Sequence, residues 1–161
     1  TTGDPHDEER RGVDGCSIPT YAVPLRALAH AFARFGTGVG YGPRRAQAAH
    51  LIREAVAEAP FMVAGTGRFD TRLMTALGAR AFVKTGAEGV YCGALPELGL
   101  GIAIKADDGA GRSAEVIMAS VIGRLLPLEG EAADLVSTLA SPVLKNWNGI
   151  EVGRLRASDA L

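Results

Sequence analysis

The chain has 161 residues, 47% of them hydrophobic and 22% charged, and a formal net charge of −1. That length suits one domain with a buried core, and the composition excludes a disordered chain. With 17 basic residues against 18 acidic ones, there is no basic excess for a nucleic-acid partner, and no apolar stretch reaches the roughly 18 residues of a membrane span. The start, TTGDPHDEERRG, is polar and has no signal-peptide core. Two cysteines, Cys16 and Cys92, do not make a disulfide framework, so a reducing, cytoplasmic setting is expected.

Residues 1–15 read as loop. Over 17–35, Leu25, Leu28, Ala29, Phe32 and Phe35 recur at spacings of three and four, which predicts a helix with one apolar face and Pro24 in its first turn. The glycine-rich GTGVGYG (36–42) ends it. A second helix is expected over 43–60, bounded by Pro43 and Pro60, with Ala48, Leu51, Ile52, Ala55 and Val56 as its inner face. Residues 61–78 hold a glycine turn and a short helix ending near Gly78. ARAFVK (79–84), GVYCGAL (89–95) and LGIAIKA (100–106) are rich in β-formers and separated by turn residues, the pattern of an antiparallel meander. A buried helix over 113–126, a further helix over 131–140 and a last strand within 149–157 complete the chain. The fold class expected is α+β, an antiparallel sheet with packed helices, in a single domain over 1–161.

Several stretches carry candidate chemistry. Lys84-Thr85-Gly86 follows an apolar run. In serine acyl-transfer enzymes of the penicillin-recognising kind such a triplet closes a strand beside the active site. The lysine brings positive charge to the cleft, the threonine hydroxyl can bond a substrate carboxylate, and the glycine leaves room for substrate. The alternative is an exposed strand-end lysine and a turn. In AGTGRFDT (64–71), Thr66 lies between two glycines and Arg68 can fork onto a carboxylate; the alternative is a tight turn with Asp70 capping the next helix. Asp107, Asp108 and Arg112 lie in a glycine-rich turn that reads as the rim of a site or as a strand-to-helix loop capped by Ser113. Cys16, in GVDGCSIP, has no His or Cys at ligand spacing, and Cys92 reads as strand packing. His30 and His50 read as surface or boundary positions on helices, and His6 stands apart from both.

Taken together, GVDGCSIPTYAVPLRALA, VAGTGRFDTRLM, KTGAEGVYCGALPELGLGIAIKADDGAGRSAE and NGIEVGRLR, in this order, resemble the C-terminal half of the rhizobial-type L-asparaginase (asparaginase II) family, over about 12–157. The resemblance implies the second half of a fold like that of serine β-lactamases and penicillin-binding proteins. It also implies an amidohydrolase that turns L-asparagine into L-aspartate and ammonia with serine–lysine pairs. It assigns Lys84 as the catalytic partner of a serine and gives Cys16 as one ligand of a zinc ion in the complete family site, beside Thr85, Thr66 and Arg68 as the substrate-binding candidates read above. A serine hydroxyl is a poor nucleophile until a base takes its proton, and a desolvated lysine can do so. The family's Ser-x-x-Lys, Ser-His-Ser-Gly and Cys-Ser-Gly-Lys motifs are not in these residues. The expectation is therefore the C-terminal portion of a larger domain that holds no zinc alone and pairs with a missing N-terminal half or a homo-oligomer partner. The alternative is a non-catalytic binding or interaction module derived from the family.

Overall fold

The computed structural model describes residues 1–160. The chain opens differently from the sequence expectation. Strand β1 (Arg11–Val13) pairs antiparallel with β2 (Pro19–Tyr21), so 11–21 form a hairpin rather than loop followed by helix. The reason lies in two prolines. A residue before proline is pushed out of the helical region, and neither Ile18 nor Val23 is helical. Pro24 has ψ 139° and precedes the first helix instead of entering it; its carbonyl accepts the N–H groups of Ala27 and Leu28 at 2.9 and 3.1 Å.

Helix α1 (Leu25–Thr37) stops at Gly38, whose φ of 76° is the left-handed conformation that terminates helices. Helix α2 (Pro43–Glu58) follows, with its face rotated from the expected one. Ala49 is buried, and Ala46, Arg53, Val56 and Ala57 are the partly covered positions beside it. Leu51 and Ile52 are 57% and 52% exposed. The Arg53 guanidinium donates to the carbonyl of Phe35 near the end of α1. That bond fixes the rotation, because a helix end buried under a neighbour needs donors for its orphan carbonyls.

A single turn, α3 (Phe61–Ala64), leads through Gly65 and Gly67, both at positive φ, into α4 (Phe69–Leu77), which ends at Gly78 as read from sequence. The expected meander is present as β3 (Phe82–Thr85), β4 (Val90–Leu95) and β5 (Leu100–Lys105), antiparallel in the order β3-β4-β5. Alternation along β4 divides its neighbours. Gly93 faces Met118 of α5 (Gly111–Leu125), whereas Ala94 faces Gly36 of α1. The sheet is thus a layer between α1 and α5. On the α1 side, a Cβ at Gly101 would lie 1.9 Å from the carbonyl oxygen of Ala29, so helix and strand meet backbone to backbone. On the α5 side, Leu73, Met74, Val83, Tyr91, Leu95, Met118 and Ile122 are fully buried, and α6 (Gly130–Ala140) covers them from outside.

The chain closes with β6 (Val143–Lys145) paired to β7 (Glu151–Arg154). The last strand was legible, but its partner was not. The turn between them is held by Asn146, whose Oδ1 accepts the N–H groups of Asn148 and Ile150 at 3.0 Å. The architecture is α+β, as expected, and no helix among the described residues is long and apolar enough to cross a membrane.

Candidate active site

Along β3, side chains alternate between core and surface. Val83 is fully buried and Lys84 is exposed, with its Nζ 2.7 Å from the carbonyl oxygen of Thr85. The turn after it is closed by the Gly86 N–H, which donates to the carbonyl of Val90 at 2.8 Å. What fixes the strand end is a residue that sequence reasoning offered only as a helix cap. Asp70 sits in the first turn of α4, behind an N-cap at Arg68, and is 1% exposed. Its Oδ1 accepts the backbone N–H of Thr85 at 3.0 Å, and its Oδ2 accepts the hydroxyl of Tyr91. Tyr91 stands opposite Thr85 in the β3–β4 register and is itself fully buried. Burial, and then the neighbouring Asp70, raise the Tyr91 phenol well above its ordinary pKa, so it is a fixed donor.

Asp70 therefore couples two motifs that lie apart in the sequence. The GTGR loop is locked by Thr71, whose hydroxyl donates to the Gly65 carbonyl at 2.7 Å. From that loop, α4 carries Asp70 to the end of the KTG strand. Thr66 and Arg68 are exposed in the loop. The Arg68 charge acts on Tyr91 and on Glu115 of α5, where it opposes a carboxyl otherwise raised by burial. The signal for Tyr91 was available: a tyrosine in a fully apolar strand requires a buried acceptor.

Cys16 lies elsewhere, exposed in the turn between β1 and β2. Its thiol donates to Asp14 Oδ2 at 2.9 Å, which holds the Asp14 carboxyl below its usual value. Among the described residues no three His, Cys, Asp or Glu side chains gather. Two donors at one turn do not make the four-ligand shell that zinc takes in structural sites, or the three protein ligands of catalytic ones. The residues present do not fit a zinc ion by themselves. The expected Ser113 cap is also revised: Ala110 is the N-cap of α5, and Asp108 Oδ1 takes both the Ala110 N–H at 2.9 Å and the Ser113 hydroxyl at 3.2 Å. His30 and His50 are exposed, and Cys92 is buried in β4.

Residues 1–157 match the family model described as L-asparaginase II. The chain belongs to the L-asparaginase II family. No curated protein matches it. Of the serine hydroxyls in this member of the L-asparaginase II family, two are engaged within the described residues. Ser120 donates to the Val116 carbonyl at 2.7 Å within α5, Ser113 bonds Asp108 and the Ala110 carbonyl, and Ser17 occupies the hairpin turn at a φ of 70°.

Proposed function

We propose that this chain contributes the base and the substrate-binding elements of an amidohydrolase that converts L-asparagine to L-aspartate and ammonia. The observation that carries the reading is the Lys84-Thr85-Gly86 turn, pinned by buried Asp70, in a chain of the L-asparaginase II family. A serine oxygen attacks the side-chain amide carbon, and Lys84 Nζ takes the hydroxyl proton. The tetrahedral intermediate collapses, the proton passes to the departing nitrogen, and ammonia leaves. Water then splits the acyl ester by the same route in reverse, freeing aspartate and the serine. Thr85 and Thr66 offer hydroxyls, and Arg68 offers a guanidinium, to the α-carboxylate of the substrate.

The attacking serine comes, on this reading, from a segment outside residues 1–161: the remainder of the family domain. Cys16 is a zinc ligand only of that complete site, and no step above runs through the metal. Two free thiols accord with a reducing, cytoplasmic setting.

A second reading is a non-catalytic binding module. It is favoured by the Ser120 and Ser113 hydroxyls, which are turned to backbone and carboxylate partners. An ammonia-release assay with L-asparagine and L-glutamine separates the two. It is run on the chain alone and on the chain complemented by a serine-bearing N-terminal half of the family as a second polypeptide. The amidohydrolase reading expects no turnover by the chain alone and turnover after complementation. Asparagine binding with no turnover in any mixture would support the module.

A further inference from the structure

A cavity of about 390 Å3 opens between the start of α4, the start of α5 and the β6–β7 hairpin. Three arginines line it: Arg68, Arg72 and Arg112. Among the described residues none of the three forms an ion pair or a side-chain hydrogen bond, whereas Arg10, Arg11, Arg80 and Arg154 all find carboxylates. One carboxylate shares the cavity, Glu115, and the Arg68 charge acts on it. Phe69, Leu139 and Leu155 supply apolar wall.

We propose that this cavity binds a small acidic amino acid, a dicarboxylate that also carries an ammonium group. Like charges gathered in one concave site repel each other, and a bound anion relieves that repulsion. Guanidinium forks match carboxylates in plane and in spacing. A ligand with two carboxylates and one ammonium mirrors a lining of three guanidiniums and one carboxylate: the carboxylates meet the arginines and the ammonium meets Glu115. The apolar wall takes the short methylene chain between them. The site shares Arg68 with the proposed amide-hydrolysing site but uses neither Lys84 nor Thr85, so variants at Lys84 and at Arg72 and Arg112 tell the two apart.

Titration calorimetry of the purified chain with L-aspartate tests the assignment, with succinate as the dicarboxylate lacking an ammonium and sodium chloride at matched ionic strength. The expected result is saturable one-to-one binding of L-aspartate that weakens at least about tenfold in R72Q/R112Q and is unchanged in Lys84→Ala. R112K, which keeps the charge and loses the fork, weakens it less. E115Q weakens L-aspartate while sparing or tightening succinate. Arg72 and Arg112 are exposed, so these variants should melt like the parent, which circular dichroism checks. The proposal is overturned by no saturation below about 10 mM, by heats that sodium chloride reproduces, or by binding that the double variant retains. Binding lost in Lys84→Ala but kept in R72Q/R112Q would also overturn it, by placing the acid in the amide site.

Discussion

Asp70 does at the residue scale what no single motif does. It is a buried carboxylate with one oxygen on the Thr85 N–H and the other on the Tyr91 hydroxyl. Removing one partner of a buried polar pair costs the desolvation of the partner left behind. Tyr91→Phe should therefore lose about 1–3 kcal/mol in urea unfolding with little change in slope. A loss near zero would show that the hydroxyl bond is not holding the strand end. The two thiols give a second check. Cys16 is exposed, whereas burial pushes Cys92 up to about 11. At pH 8 an aromatic disulfide reagent should label one thiol per chain quickly and the second only on unfolding. The sign of the linked stability follows. A folded pKa above the unfolded value of 9.0 means that stability is full below about pH 9 and drains as pH rises through about 11. The melting temperature should fall across that window, and fall less in Cys92→Ala. Equal slopes for both proteins would remove Cys92 as a cause.

At the scale of elements, α2 and α4 show where pattern reading succeeds and where it stops. The α4 helix, the meander and α5 were legible because their apolar residues are in the core that the pattern implies. In α2 the periodicity of Ala48, Leu51, Ile52, Ala55 and Val56 was real, yet of these Val56 packs toward the core and the other four lie outward. Periodicity names an apolar face, but the packing of α1 and the Arg53 bond to Phe35 decide which face turns inward. The first hairpin was missed because residues 17–24 were grouped with the helix that begins at Leu25, although prolines follow both Ile18 and Val23. The expected consequence is a sharp contrast. Leu73→Ala, fully buried in α4, should cost about 2–5 kcal/mol, whereas Leu51→Ala should cost under about 0.5 kcal/mol. Similar costs at the two sites, measured by thermal or urea unfolding, would mean that Leu51 is covered.

For the whole molecule, the α+β class and the antiparallel meander were legible in the chain, whereas the placement of the three-stranded sheet between α1 and α5 was not. The site was legible as separate motifs but not as an assembly. Lys84, Thr85 and the GTGR loop could each be named from sequence. That a buried aspartate ties the loop to the strand could not, because an aspartate two residues into a helix looks like ordinary capping. Cys16 stayed a motif without a shell, since among the described residues its thiol finds only the Asp14 carboxylate.

The central claim is that Lys84 serves as the base of an amide hydrolysis, and ammonia release from L-asparagine by the complemented chain measures it most directly. Lys84→Ala should leave the melting temperature within a degree or two, because the side chain is exposed. It should also lower kcat by at least about a hundredfold, as loss of a general base does. Turnover in Lys84→Ala equal to that of the unmodified chain would contradict the account.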